Sequence, residues 1–151
     1  MRSGAARADP VPEDVLFAAR CAGDDDGVGA MLGELQARLG LRRIDPDRAG
    51  DVMIVLGEVL NNTVEHAMQG RADGWIDLTV RQAAGRIEVC ARDDGRPLPP
   101  SLLAGGAPPA GTGGPVESLP EGGFGWFLIH SLVDDLTYER EDGVNRTSFS
   151  F

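Results

Sequence analysis

Apolar positions recur along this chain with two periods, and the changes of period mark its elements. Val15, Phe17, Ala19 and Cys21 are spaced by two, which predicts a strand over 14–21. Val28, Met31, Leu32, Leu35 and Leu39 then follow a helical spacing, with Asp24–Asp26 before them and Gly40 as the stop. The longest pattern runs from Asp45 to Gly70 and reads as one helix. Asp45 suits its cap, Pro46 its first position and Gly70 its end. At about 100° per residue, Val52, Leu56, Val59, Leu60, Thr63, Val64 and Ala67 form a broad apolar arc. The period returns to two through Ile76, Leu78 and Val80, and again through Ile87, Val89 and Ala91. A turn at 83–85 makes these two runs an antiparallel hairpin. After Gly95 the pattern collapses. Residues 96–121 hold seven prolines and five glycines and contain no regular element. A short apolar helix over 126–133 follows. A last hairpin over 135–140 and 144–151 turns at Glu141–Asp142–Gly143, with Phe149 and Phe151 facing the same way.

Paired strands mixed with helices indicate the α+β class. The expected architecture is a two-layer sandwich, with helices packed on one face of a mixed, mainly antiparallel sheet. The chain of 151 residues is read as a short disordered arm, 1–12, and one domain, 13–151. No run is long and apolar enough for a membrane span, and the first residues have no apolar centre of a secretory signal. The expectation is a cytoplasmic protein, with Cys21 and Cys90 as reduced, small core residues.

Charge narrows the partners. The net charge is −10, and all 14 basic residues are arginine. Such a chain is a poor non-specific binder of nucleic acid, because phosphate contacts dominate that affinity. It can still hold a compact anion where backbone dipoles or a metal ion supply positive potential, and its surface suits a basic protein partner. The run Asp24–Asp26 is read as a helix-capping cluster, since no further ligands follow it at metal-binding spacing.

Three polar features carry candidate chemistry. Glu58, Asn62 and His66 are spaced i, i+4, i+8 along one edge of the long helix, beside its apolar arc. Asp93-x-Gly95 ends a strand. Gly122–Gly123–Phe124–Gly125 opens a helix beyond the proline-rich stretch. Taken singly, each has a plain structural account: a solvated helix edge, a turn, a loop.

In this order the three features resemble those of the ATPase family that includes histidine kinases, gyrases and heat-shock chaperones. The text EVLNNTVEHA, DDG and EGGFGWFLIHSLVDDL looks like that of the small anti-sigma-factor serine/threonine kinases within it. The resemblance covers roughly residues 12–151. It implies the Bergerat ATP-binding fold, with residues 96–121 as an ATP lid. It implies that Asp93 accepts a hydrogen bond from the adenine amino group and that Gly95 lets the backbone approach the base. Gly122, Gly123, Phe124 and Gly125 would bind phosphate through N–H groups and the helix dipole. Asn62 would be the Mg²⁺ ligand and Glu58 the general base for an incoming hydroxyl. His66 is read as structural, and His130 as packed in the core or an interface. Implied partners are a sigma factor, held inactive, and an antagonist of STAS-type fold that is phosphorylated. A homodimer is also implied, and neither nucleic acid nor membrane. Rival expectations are a nucleotide-binding module that sequesters without phosphoryl transfer, and a kinase whose target is not a sigma factor. A histidine-kinase fragment is disfavoured, because no phosphoacceptor helices precede residue 14. The sequence departs from the family pattern in three places. The stretch RPLPP lacks a second glycine, the lid is rich in proline, and GVNRTSFSF stands for the usual glycine–threonine run. The last leaves Thr147 and Asn145 both open as the final nucleotide contact.

Overall fold

The structure, a computed structural model, describes residues 14–103 and 123–151. The arm expected at 1–12, most of the expected lid and Gly122 lie outside the described residues.

The elements follow the apolar periods closely. They are β1 (Val15–Ala22), α1 (Asp25–Leu41), α2 (Pro46–Asn62) with a π-helical continuation (Thr63–Met68), β2 (Trp75–Ala83) and β3 (Arg86–Asp93). Then come α3 (Pro100–Leu103), α4 (Gly123–Leu132), β4 (Asp134–Glu141) and β5 (Val144–Ser150). Side chains cap the helices as their sequences suggest. Asp24 accepts from the Gly27 N–H at 2.7 Å, and Asp45 from the N–H groups of Asp47 and Arg48 at 3.0 and 3.2 Å. Gly40 does not stop α1. The helix runs on to Leu41 and is ended by Arg43, whose φ of 54° is left-handed.

The sheet order is β1-β2-β3-β5-β4, and all four pairings are antiparallel. Two of its loops have two residues with positive φ, Ala84–Gly85 and Asp142–Gly143, the geometry whose twist matches paired strands. The inward residues Ile76, Leu78, Val80, Ile87, Val89 and Phe149 pack on Leu35, Leu56, Leu60 and Ile129 in one core. A shift of register between Val15 and Phe17 buries Leu16 as well as Phe17. No described element covers the other face of the sheet, which is charged. There Arg20 grips Asp77 with two hydrogen bonds and lies 4.1 Å above the Trp75 ring.

Further expectations need correction. A short helix, α3, forms within the stretch 96–121, where the sequence predicts no regular element. The long helix does not continue as an α-helix to Gly70. From Thr63 it widens into a π-turn, and Gln69 then takes a left-handed φ of 45°. Each residue of an i→i+5 turn advances less around the axis than in an α-helix, so the buried stripe swings round to include Met68. Gly23 and Gly74 make room for it: a Cβ on Gly23 would lie 2.8 Å from the Met68 sulfur. Cys90 is not a core residue. It pairs with Thr79 on the open face, whereas Cys21 pairs with the inward Ile76; both are free. His130 is not in the core: it is exposed, its ring tilted beside Trp126 with centroids 6.2 Å apart.

Candidate functional site

The α2 helix and its π-turn form one rim of the site, with a polar cluster at each end. Glu58 and Asn62 lie one turn apart, and Asn62 is buried. Against them sits the first turn of α4. A Cβ on Gly125 would fall 2.5 Å from Glu58 Oε2 and 3.5 Å from Asn62 Nδ2, so only glycine lets the α4 backbone come this close. The first N–H groups of a helix have no partner within it and carry its positive end. The contact therefore joins a carboxylate, an amide and a ready anion site. Asn62 Nδ2 is fully buried and has no hydrogen-bond partner among the described residues. A buried unpaired amide is costly, and turning it through 180° offers its oxygen to the same space.

The second cluster lies at the other end of the rim, roughly 13 Å along the axis from Glu58 to Ala67 by helical rise. Register places Asp93 of β3 opposite Asn145 of β5, both facing inward, and both are buried. Asp93 Oδ1 accepts from the Gly95 N–H and from Asn145 Nδ2, each at 2.9 Å. Burial pushes the Asp93 carboxyl above its ordinary pKa. The Asn145 and Gly95 hydrogen bonds oppose that rise, the Asp94 charge adds to it, and Arg140 opposes it. Gly95 is pressed on the π-turn: a Cβ there would lie 2.7 Å from both the Ala67 Cβ and its carbonyl oxygen. The next N–H, of Arg96, donates to the same carbonyl at 2.8 Å.

The structure thus brings Glu58, Asn62 and Gly125 together. It gathers Asp93, Gly95 and Asn145 at a second point, and α2 with its π-turn links the two. Gly123 and Phe124 belong to the first turn of α4. His66 sits on the π-turn, with Nε2 buried, without a hydrogen bond and 3.8 Å from Glu65 Oε2. Sequence reasoning missed Tyr138 and Arg140, whose side chains reach Asn145. The available signal was that Asn145 and Thr147 occupy the inward register of β5 beside Phe149, where polar side chains need partners. Two cavities of about 480 and 460 Å³ lie on the open sheet face, lined in part by Cys90 and Arg146, and hold none of these groups.

Among the described residues no three His, Cys, Asp or Glu side chains are grouped to hold a metal ion. A magnesium ion needs less: it keeps several waters and takes one or two protein oxygens plus substrate phosphates. The unpaired Asn62 amide beside the α4 backbone fits that donor set.

Comparison with known proteins places the chain in a family. Residues 21–151 match the histidine kinase-like ATPase domain family. A serine-protein kinase RsbW of Bacillus cereus (strain G9842) is 33% identical over 98 residues, 65% of this chain and 61% of the relative. The same-named protein of Oceanobacillus iheyensis is 32% identical over 94 residues, 62% of this chain and 60% of the relative. That of Listeria innocua serovar 6a is 30% identical over 95 residues, 63% and 60% of the two chains. The chain thus matches about three fifths of the length of these relatives. Among solved structures, the RsbU and RsbW domains of a Mycobacterium tuberculosis protein superpose with a TM-score of 0.59 at 14% identity. That likeness of fold covers 89% of this chain and 32% of the other.

Proposed function

Because the chain belongs to the histidine kinase-like ATPase domain family, we propose that it is an ATP-dependent protein serine/threonine kinase that also acts as an anti-sigma factor. The observation that carries this reading is the contact of Gly125 with Glu58 and Asn62, which sets a carboxylate and an amide against a helix N-terminus. A protein that only held nucleotide would have no use for a carboxylate at that contact.

In this reading the adenine lies at Asp93 and Gly95, and the phosphates at the backbone of Gly122 to Gly125. Asn62 holds Mg²⁺. When bound, the ion neutralises phosphate charge. Glu58 takes the proton from a serine or threonine hydroxyl as that oxygen attacks the terminal phosphoryl group, whose bond to the bridging oxygen breaks and releases ADP. Phosphate binding through N–H groups and a dipole needs no lysine, which suits a chain that has none.

The substrate is an antagonist of STAS-type fold, and the protein held inactive when the antagonist is phosphorylated is a sigma factor. These two partners, a homodimer and a cytoplasmic site belong to this proposal. Among the described residues no helix is long and apolar enough to cross a membrane. The relatives' name, serine-protein kinase, supports the acceptor class. The test is a pull-down from cells, followed by incubation with Mg-ATP and phosphate mapping of the captured proteins. Phosphate on a serine or threonine of a small STAS protein is expected. Capture of partners with no phosphate transferred would leave a sequestering module and remove the kinase.

A further inference from the structure

The polar atoms around Asn145 fix one another's direction. The Tyr138 hydroxyl donates to Asn145 Oδ1 at 2.6 Å, and Arg140 Nη1 donates to the same oxygen at 2.7 Å. An atom that receives two donors is the amide oxygen, so the Asn145 amide has one orientation. Its nitrogen must point the other way, and it donates to Asp93 Oδ1 at 2.9 Å and to the Arg96 carbonyl at 2.8 Å. With the Gly95 N–H also on it, Asp93 Oδ1 has both lone pairs in use. Oδ2 accepts no hydrogen bond from the described residues.

We infer that Asn145, turned by Tyr138 and Arg140, is a positioning residue that saturates Asp93 Oδ1 and leaves Oδ2 as a lone acceptor for a purine amino group. The inference rests on the nucleotide reading above. It explains selection at the base: adenine presents an amino donor to that oxygen, and guanine or hypoxanthine presents a carbonyl oxygen, which a carboxylate repels. Discrimination against a base that leaves a buried acceptor unpaired is large. It also requires that Asp93 stay ionised, because a protonated carboxyl would offer a donor and favour the carbonyl base. Burial works against ionisation and the Asn145 bond works for it. The charged groups that act on Asp93 are Asp94, just past the end of its strand, and Arg140 from β4. The π-turn and β2 present Ala67 and Ile76, which are apolar.

The same three side chains fasten the chain as it leaves β3. Arg140 also donates to the Gly95 carbonyl at 2.9 Å, Asn145 to that of Arg96, and the Leu98 N–H donates to the Tyr138 oxygen at 3.0 Å.

The test is calorimetric titration of ATP and inosine triphosphate across pH, with the full chain, Asn145→Ala, Tyr138→Phe and the double variant. Asn145→Ala is expected to weaken ATP by about tenfold or more, the effect of a hydrogen bond lost from a charged group. It should weaken inosine triphosphate far less, and the acid limb of ATP binding should move to higher pH. Tyr138→Phe should act in the same direction and add nothing once Asn145 is alanine. If Asn145→Ala does not fold, Tyr138→Phe decides alone by the same two readouts. Equal weakening of both nucleotides with an unmoved acid limb would make Asn145 merely structural. A wild-type chain that binds neither nucleotide would overturn the nucleotide reading itself, and this inference with it.

Discussion

Asp93 is a carboxylate held where burial disfavours its charge, and that tension has a sign. A carboxyl whose folded pKa is raised gives the fold full stability below its unfolded pKa, and that stability is lost as pH rises through the folded value. Asparagine at the same position can still accept from Gly95 and Asn145 through its carbonyl oxygen, with no charge to bury. Asp93→Asn is therefore expected to melt above the wild type at neutral pH, with the gap closing as pH falls to about 4. The same variant should show no ATP binding by calorimetry; a normal affinity would remove Asp93 from the site. Glu58 gives the complementary case. Glu58→Ala should bind ATP as before and lose phosphoryl transfer by about 10²-fold or more, measured in single turnover. Undiminished transfer would exclude it as the base. Glu58, Asn62 and Asp93 were legible in the sequence because short-range patterns carry them: one turn of helix, one strand end. Tyr138 and Arg140 were not. Their role exists only once β5 lies between β3 and β4, and no local pattern states that order.

At the scale of elements, two glycines make the same kind of close approach against different obstacles. A Cβ on Gly95 would meet the Ala67 carbonyl and Cβ at 2.7 Å, and these belong to the π-turn itself. A Cβ on Gly125 would meet the far end of a flexible side chain, Glu58 Oε2. Gly95→Ala should therefore lower stability by about 1–3 kcal/mol in urea denaturation, as overpacking does. Gly125→Ala should leave the denaturation midpoint near that of the wild type, since alanine suits a helix better. It should reduce transfer by about 10²-fold, through a displaced Glu58, more than it reduces ATP affinity. Equal loss of stability in the two variants would contradict the distinction. The hairpins and helix caps were readable because alternation, turn residues and aspartates specify them locally. The π-turn was not, because the residues of Thr63–Met68 are compatible with an α-helix. Packing of Met68 against Gly23 and Gly74, and of Ala67 against Gly95, is what the wider turn serves.

For the molecule as a whole, the site spans both layers, so nucleotide should stabilise the entire fold. At a free concentration 100 times its dissociation constant, Mg-ATP is expected to add about 2.7 kcal/mol, read as a rise in melting temperature. Asp93→Asn should show no such rise. Absence of the shift in the wild type would mean that the folded protein does not bind ATP. The layer architecture and the class of the fold followed from the order of periods along the chain. The uncovered sheet face did not stand out, because β2 alternates as cleanly there as it would beneath a second layer.

The position of β5 also has a consequence in time. It lies inside the sheet between β3 and β4, although it comes after both along the chain. Phe151 in turn exchanges hydrogen bonds with Ile87, and Arg48 of α2 donates to its carbonyl at 3.4 Å. A chain still on the ribosome with residues 144–151 in the exit tunnel has β3 without its neighbour and Asp93 without Asn145. Domains emerge and fold during synthesis as units, and this sheet stays open until β5 has left the tunnel. A half-made chain cannot assemble the Asp93 cluster, so a truncated product is unable to compete with the finished protein for the same ligand.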